Sequence, residues 1–458
     1  MIVMKFGGTS VGDAANIRRV VELVRARLKD RPCVVVSAHS GVTDTLLDQA
    51  HKAVTGKHDL TGLHARHSRI AEELGVEVPA HAPLLQELAD LLRGISLVAE
   101  TTPRLLDQVA SFGERLSVHT VAAALNQAGV PAEAVMAFDA GLQTDSRYQR
   151  ARPLPQSYDA IAKFFKERGG ADPASGGASV AVVTGFLAKD AAGSITTLGR
   201  NGSDYSASLF GRALHASEIE IWTDVPGVMT ADPRLVPDAR PIECMTYDEA
   251  AEIAFCGGKV LHPATLHPAV EADIPVRVLD TRNPTGPNTV IWREVPASRP
   301  VVRTVVQKRG ICLVNVVTPR MLGAHGYMAK VFDAAGRHEV ALDMLATTEI
   351  SVSMTVDDDR RRLGAFLDEL RALGEVTVER NVTAVAVVGH AIGESPQTLG
   401  AIFSTLAHEG IAPRMVSMGA RRTNVGIVVD EHDTAKAVNA LHGALLNEPR
   451  LAKATAKK

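Results

Sequence analysis

Apolar positions along the chain alternate between two periods. Ile2 to Phe6 is a short apolar run broken only by Lys5, which predicts a buried strand. Gly7-Gly8-Thr9-Ser10 follows, and from about Asp13 the residues Ile17, Val20, Val21, Val24 and Leu28 recur at helical spacing. The unit then repeats: Cys33 to Val36 as strand, Ser37-Ala38-His39-Ser40-Gly41 as turn, and Val42-Thr43-Asp44 opening a helix. Residues 45 to 130 are rich in Leu, Ala, His and Glu with few β-branched runs, which predicts a helical stretch. Ser179 to Thr184 and Glu218 to Thr223 read as further buried strands ending in glycine or proline turns. Such alternation predicts an α/β domain of three layers, a mainly parallel sheet sandwiched by helices.

The pattern breaks near residues 283 to 300, where Asn283, Pro284, Gly286, Pro287, Pro296 and Pro300 cluster as in a linker. Beyond it the chain repeats itself at an offset of 71 residues: Val316 with Val387, Phe332 with Phe403, Val340 with Ile411, Ala341 with Ala412, Met344 with Met415. Each copy reads strand, loop, helix, strand and a further strand (Ile350 to Val356, Val425 to Val429), a small sandwich that buries one sheet face under helices. The copies are either packed structural modules or a pair of small-molecule sensors.

Composition narrows the function. A chain of 458 residues exceeds the usual single domain. A net charge of −3 and only 4% aromatic residues supply neither a basic stripe nor stacking platforms, so nucleic acid is not an expected partner. An anionic substrate must then be met by a few local cations. Cys33, Cys244, Cys256 and Cys312 are widely spaced, with no metal-site or disulfide pattern, which points to a reducing, cytoplasmic setting. The start, broken by Lys5 and glycines, is not a signal peptide, and no apolar run reaches the ~18 residues of a membrane span.

Four clusters carry candidate chemistry. Gly7 to Ser10 between strand and helix offers backbone N–H groups to a phosphate, although neither a Walker A loop nor a G-x-G-x-x-G fingerprint is present. Lys5 within an apolar strand needs an anionic partner, whether a ligand or a buried carboxylate. In Gly199-Arg200-Asn201-Gly202-Ser203-Asp204, Arg200 suits a bidentate grip on a carboxylate while Ser203 and Asp204 open the next helix; a simple capped turn with Asp204 as N-cap reads equally well. Trp222-Thr223-Asp224-Val225-Pro226-Gly227 ends a strand, where open α/β sheets bind ligands, and Asp232-Pro233-Arg234 follows. Gly257-Gly258-Lys259-Val260-Leu261-His262-Pro263 joins a glycine turn to another cation. His64, His67, His262 and His267 read as surface, core or capping residues, and no set has metal-ligand spacing.

Together, and in this order, Lys5-Phe6-Gly7-Gly8-Thr9-Ser10, Gly199 to Asp204, Trp222 to Gly227 and Gly258 to Pro263 resemble the aspartokinases over essentially the whole chain. The resemblance implies an amino-acid kinase fold over 1–295 and two ferredoxin-like (βαββαβ) ACT domains over 305–380 and 381–458, the second completed by a strand from 299–306. It implies ATP with Mg²⁺ held mainly through the phosphates, and transfer of the γ-phosphoryl group to the β-carboxylate of L-aspartate, the committed step toward lysine, threonine and methionine. Lys5 matches the lysine that meets the transferred phosphate, and Gly7 and Gly8 belong with the nucleotide. Ser37 and Thr43 match residues lining the aspartate and phosphate pocket. Glu114, in Ser111-Phe112-Gly113-Glu114-Arg115, matches a holder of the α-ammonium. Arg200 matches a carboxylate grip; Ser203 and Asp204 match neighbours that organise the site. Thr223, Asp224, Arg234, Lys259 and Val260 match nucleotide contacts. Met229 replaces a tyrosine and Gly258 an alanine common in the family.

In lysine-sensitive members the effector sits near two stretches that read here Met321 to Met328, with Tyr327, and Leu342-Asp343 to Thr347-Thr348-Glu349. Asp343 and Glu349 are the expected holders of an ammonium group, with Ala324 and Ala341 replacing serines. Lysine is the expected inhibitor, threonine the next, and the ACT pair implies a homodimer or tetramer. The rivals are another acyl-phosphate-forming amino-acid kinase, such as a glutamate or acetylglutamate kinase, and a catalytically silent sensing protein. A fused homoserine dehydrogenase is not expected, since the chain ends after the second copy.

Overall fold

The computed structural model describes residues 1–168, 179–258, 263–296 and 300–446. Chain contacts divide them into two units, one drawn from 1–228, 243–247 and 264–295, the other from 229–242, 248–263 and 296 onward.

The first unit contains the alternating pattern. Its strands are β1 (Ile2–Phe6), β2 (Pro32–Val36), β3 (Ala132–Val135), β4 (Gln143–Thr144), β5 (Val180–Thr184), β6 (Leu187–Asp190), β7 (Ile195–Thr197), β8 (Glu218–Thr223), β9 (Cys244–Met245), β10 (Val276–Asp280) and β11 (Thr289–Ile291). Its helices are α1 (Ala14–Ala26), α2 (Val42–Ala53), α3 (Thr61–Leu74), α4 (His81–Val98), α5 (Pro103–Ala110), α6 (Phe112–Gln127), α7 (Ser157–Glu167) and α8 (Gly202–Ala213). The main sheet runs β3-β5-β2-β1-β8-β10-β11-β9 and is parallel except for the β10–β11 pair. A parallel sheet is covered on both faces, which is why all five residues of β1 and of β2 are buried. The Ile17, Val20, Val21 and Val24 stripe of α1 packs with Val118, Val121 and Leu125 of α6 over Met4, Phe6, Val34 and Val36. The helical stretch 45–130 is a bundle, with Leu46, Leu88, Leu92, Val109, Phe112 and Leu116 in its core. The expected linker differs in one respect: Thr289–Ile291 forms β11, because Val290 and Ile291 find partners in β10 and β9.

The second unit holds the duplicated tail: β12 (Val302–Val317), α11 (Tyr327–Arg337), β13 (Leu342–Thr347), β14 (Ser351–Asp357), α12 (Arg360–Arg371), β15 (Glu375–Gly389), α13 (Pro396–His408), β16 (Met415–Ser417), β17 (Asn424–Asp430) and α14 (Thr434–Leu446). The preceding α9 (Tyr247–Phe255) also falls here from Asp248 onward, while α10 (Pro263–Ala272) returns to the first unit from Ala264. All pairings in the six-stranded sheet β13-β14-β12-β15-β17-β16 are antiparallel. Two long strands serve both copies. The first half of β12, Val302 to Lys308, runs beside Ala384 to Gly389 as the last strand of the second copy. After an irregularity between Lys308 and Ile311, its second half pairs with β14 and with Glu375 to Val382 as the first strand of the first copy. Each copy has its own core, Val314, Val331, Val352, Phe366 and Leu370 in one, Val305, Val387, Ile402, Ile427 and Leu441 in the other. No helix among the described residues is long and apolar enough to cross a membrane.

Candidate active site

The parallel strands of the first unit end at a cleft of about 630 Å³. Its lining includes Lys5, Gly8, Ser37, Thr43, Glu114, Arg200, Ser203 and Asp204, eight residues brought together from four separate segments of the chain. Lys5 sits between Val35 of β2 and Ile221 of β8 in register, near the middle of the sheet. Its ammonium lies 2.6 Å from the Asp204 carboxylate, and both side chains are nearly inaccessible. Of the two alternatives for Lys5, the structure supplies the carboxylate, Asp204, at the edge of the cleft. Gly8 brings the chain so close to the Ser37–Gly41 turn that a Cβ there would lie 2.9 Å from the Ala38 carbonyl, and its own carbonyl accepts from the Ser40 N–H at 3.1 Å.

Two helix starts differ from expectation. The N-terminus of α1 is occupied by Asp13, whose carboxylate accepts from the Asn16 N–H at 2.8 Å, so the helix after the first glycine turn is capped by its own chain. Asp204 is not the N-cap of α8. That position is Asn201, with φ of 57°, which leaves Asp204 in the first turn, free to meet Lys5. It is the first turn of α8, through Gly202, Ser203 and Asp204, that opens on the cleft.

Glu114 enters from the first turn of α6 and is buried. One carboxylate oxygen accepts from the Ala38 N–H at 3.0 Å, while the other has no hydrogen-bond partner among the described residues. Burial pushes its pKa up to about 8, against the opposing hydrogen bonds from the backbone of Ala38 and of Glu114 itself. Arg200 is exposed at the cleft and forms no ion pair with a described residue. The cleft thus holds a guanidinium without an ion-pair partner among the described residues, a buried carboxyl and a lysine–aspartate pair.

The remaining candidates stand elsewhere. Gly7 lies beside the Lys5 ammonium, and its N–H donates to the Trp222 carbonyl at 3.3 Å. Thr223 and Asp224 close β8 outside the cleft lining; the Thr223 carbonyl accepts from the N–H and hydroxyl of Thr281 at 2.9 and 3.1 Å. Arg234 belongs to the second unit, where its exposed guanidinium is paired with Asp232 at 2.6 Å. Met229, also in that unit, accepts from the Thr304 hydroxyl through its carbonyl at 3.0 Å. Lys259, Val260 and His262 lie outside the described residues.

Sequence reasoning missed two buried groups. Asp107 of α5 accepts from the N–H groups of Gln149 and Thr197 and from the Thr197 hydroxyl, at 2.9 to 3.1 Å, and so ties the α5 helix to the strand that leads to Arg200. An isolated aspartate in an amphipathic helix carries no signal for this. His67, expected at the surface, is buried: its ring lies 4.9 Å from that of His39 and 5.3 Å from that of His81. His64 and His267 are exposed as expected. His67 faces inward because α3 turns its Leu63–His67–Ile70 stripe to the core, an i, i+4, i+7 spacing legible in the sequence once the helix is accepted. Neither ring nitrogen of His67 has a hydrogen-bond partner among the described residues. Burial, with the neighbouring imidazoles and Arg66, lowers its pKa to about 2; burial lowers that of His39, a cleft-lining residue, to about 4.

In the second unit, the expected effector residues surround the start of α11 and the β13–β14 hairpin. The Tyr327 hydroxyl donates to the Leu373 carbonyl at 3.3 Å, and Met321 is half-buried. Leu342, Asp343 and Thr347 lie on β13; Thr348 and Glu349 form the turn after it, with the Thr348 hydroxyl 2.7 Å from that of Ser351. Glu349 is exposed. Asp343 is already paired, with Lys308 at 2.5 Å.

Residues 1–280 match the amino acid kinase family, and residues 385–445 match an ACT domain. The chain is 36% identical to aspartokinase 2, chloroplastic, of Arabidopsis thaliana over 96% of its own length and 84% of the relative's. It is 33% identical to lysine-sensitive aspartokinase 3 of Escherichia coli, over 97% and 99%. Among solved structures, E. coli aspartokinase III in complex with aspartate and ADP, in the R-state, superposes with a TM-score of 0.84 at 32% identity, covering 98% of this chain and 100% of that one. The same enzyme in complex with lysine and aspartate, in the T-state, gives 0.77 at 32% identity, covering 97% and 99%.

Proposed function

The chain belongs to the amino acid kinase family, and within it to the aspartokinases, and from that membership we propose a role for each side chain of the cleft. The reaction itself is that of the family: the γ-phosphoryl group of ATP passes to the β-carboxylate of L-aspartate, giving 4-phospho-L-aspartate, the first step toward lysine, threonine and methionine, under feedback control through the ACT domains.

The attacking carboxylate is ionised at neutral pH and needs no general base. The difficulty is to bring two anions together. In our reading Arg200 grips the α-carboxylate of aspartate and Glu114 receives its α-ammonium, which leaves the β-carboxylate free to attack. The observation that carries this reading is the presence in one cleft of a guanidinium and a buried carboxyl oxygen that both lack a partner among the described residues. Lys5 meets the transferred group, held in place by Asp204, with Ser203 and the amides of α8 alongside. Ser37 and Thr43 line the aspartate side. Gly7, Gly8, Thr223, Asp224, Arg234, Lys259 and Val260 are assigned to the nucleotide.

Mg²⁺ fits this donor set as an ion carried by phosphates. Asp107 accepts from backbone and hydroxyl donors and Asp204 is paired with Lys5, which leaves the hydroxyls and the exposed Asp44 carboxylate of the cleft lining to a phosphate-borne ion. When bound, it neutralises phosphate charge; positioning rests on the residues named above. The partition into a kinase over 1–295 and ACT copies over 305–380 and 381–458, assembly as a homodimer or tetramer through the latter, and a cytoplasmic setting for four unpaired cysteines complete the proposal. Lysine is the proposed effector, on the likeness to the lysine-sensitive enzyme of E. coli.

Trapping aspartyl phosphate as its hydroxamate, with L-aspartate, L-glutamate and acetylglutamate as competing acceptors, tests the assignment. Arg200→Ala and Glu114→Gln must each raise the aspartate KM while leaving that for ATP nearly unchanged. Equal effects on both would overturn the roles given to these two residues.

A further inference from the structure

The β12 strand keeps β15 as a neighbour throughout, but its register breaks after Lys308, the last residue of its first half, and β14 joins its other edge from Ile311. The ammonium of Lys308 lies 2.5 Å from the Asp343 carboxylate on β13 and 2.9 Å from that of Asp357 at the end of β14. Asp343 is largely shielded from solvent, at 14% side-chain exposure, while Asp357 is open, at 65%. A shielded carboxylate left without a cation is costly, so Asp343 favours states that give it a positive partner. Without a ligand that partner is Lys308.

We propose that Lys308 is a tethered counter-ion that competes with a cationic amino-acid effector for Asp343, and thereby sets how tightly the second unit binds that effector. The inference rests on the reading of Asp343 as an effector residue. An incoming ammonium takes over the Asp343 carboxylate only by displacing Lys308. The displaced lysine retains Asp357, which is accessible and already within hydrogen-bond distance. The exchange therefore needs no unpaired charge at any stage.

The exchange is also placed where it can be felt. Gly257 has φ of +103°, and a Cβ there would lie 2.5 Å from the carbonyl oxygen of Gln307 and 3.1 Å from the Cα of Lys308. The turn Cys256-Gly257-Gly258 thus rests on the backbone of Lys308 itself, and the sequence continues from that turn directly into Lys259. The helix ahead of the turn is anchored to the same unit, by the ion pair of Glu249 with Arg303 and the hydrogen bond between Glu252 and Asn424. A shift of Lys308 has little slack to dissipate in.

The test is lysine binding to the full chain by calorimetry, together with lysine inhibition of hydroxamate formation, for the wild type and for Lys308→Met, which keeps the stem and removes the charge. The expected result is binding at least about tenfold tighter in Lys308→Met, with inhibition at correspondingly lower lysine. Lys308→Arg, which keeps a cation, is expected to stay near the wild type. Equal affinity in wild type and Lys308→Met overturns the proposal, and weaker binding, the sign of a lysine side chain that holds the effector's carboxylate, overturns it also; both leave the effector reading standing. No lysine binding by either protein sinks both. Should Lys308→Met melt before the wild type's working temperature, Lys308→Gln supplies the same comparison with a polar stem.

Discussion

The Lys5 ammonium and the Asp204 carboxylate meet at 2.6 Å, across 199 residues of chain, where the C-terminal end of a buried strand faces the first turn of a helix. The ion pair anchors the Lys5 side chain at the edge of the cleft. Replacing Lys5 by Met removes the charge meant for the transferred phosphate and also strands Asp204. Turnover is expected to fall by roughly two to three orders of magnitude, as for loss of a charge-stabilising donor, and the melting temperature to drop. Lys5→Met/Asp204→Asn should recover the melting temperature without recovering turnover. Steady-state kinetics and thermal melts of the three proteins check this; recovery of both together would mean the pair acts only through stability.

Arg200→Ala leaves the fold untouched, because the guanidinium is exposed and has no partner among the described residues. A charge-assisted bidentate contact is worth about 1.5–3 kcal/mol, so the aspartate KM is expected to rise roughly 10- to 100-fold. Arg200→Lys should recover only part, since the planar fork is lost.

The raised pKa of Glu114, about 8, has a kinetic signature. Below pH 8 the empty cleft holds a protonated carboxyl, and a substrate ammonium binds only after that proton leaves. The aspartate KM is therefore expected to fall as pH rises from 6 to 8. In Glu114→Gln the KM should be higher and flat over the same range. A sloping profile in the variant would assign the titration to another group.

The histidine cluster predicts acid sensitivity. His39 and His67 titrate in the fold near 4 and 2, below the ordinary value of 6.5, so the unfolded chain takes up their protons first. Stability is intact above pH 6.5 and is lost as pH falls toward the folded values, each residue costing on the order of 3 kcal/mol by pH 4. His67→Phe, which keeps a ring in place, should remove about half of this loss, since at pH 5 both folded values lie below the pH and the two residues cost nearly the same. Thermal melts at pH 7.5 and 5 measure the difference; an unchanged gap between wild type and variant would show that His67 is not the group responsible.

Much of the fold is legible in sequence because its determinants are local. A five-residue apolar run, a glycine turn and a 3.6-residue stripe each report on their own neighbourhood, and β1, β2, β8 and the helical stretch follow from them. The duplication at an offset of 71 residues likewise appears as a pattern within one strand of text. What local pattern does not report is partner choice. Thr289–Ile291 reads as linker, since only the edges of β10 and β9 make it a strand. His67 reads as surface until α3 is turned to the core.

The sequence by itself determined the kind of protein: an alternating α/β kinase with a duplicated sensing tail, and the cations Lys5 and Arg200 on a nearly neutral chain. Only the tertiary structure decided what those charges face. Lys5 has Asp204, Arg200 has no described partner, Glu114 is left with one oxygen unmatched, and Asp343 is already held by Lys308. The reason is physical: residue types and periods are carried by neighbours along the chain, whereas burial and ion pairing are set by groups tens to hundreds of residues away. Those distant groups come within a few ångströms only when the sheets form.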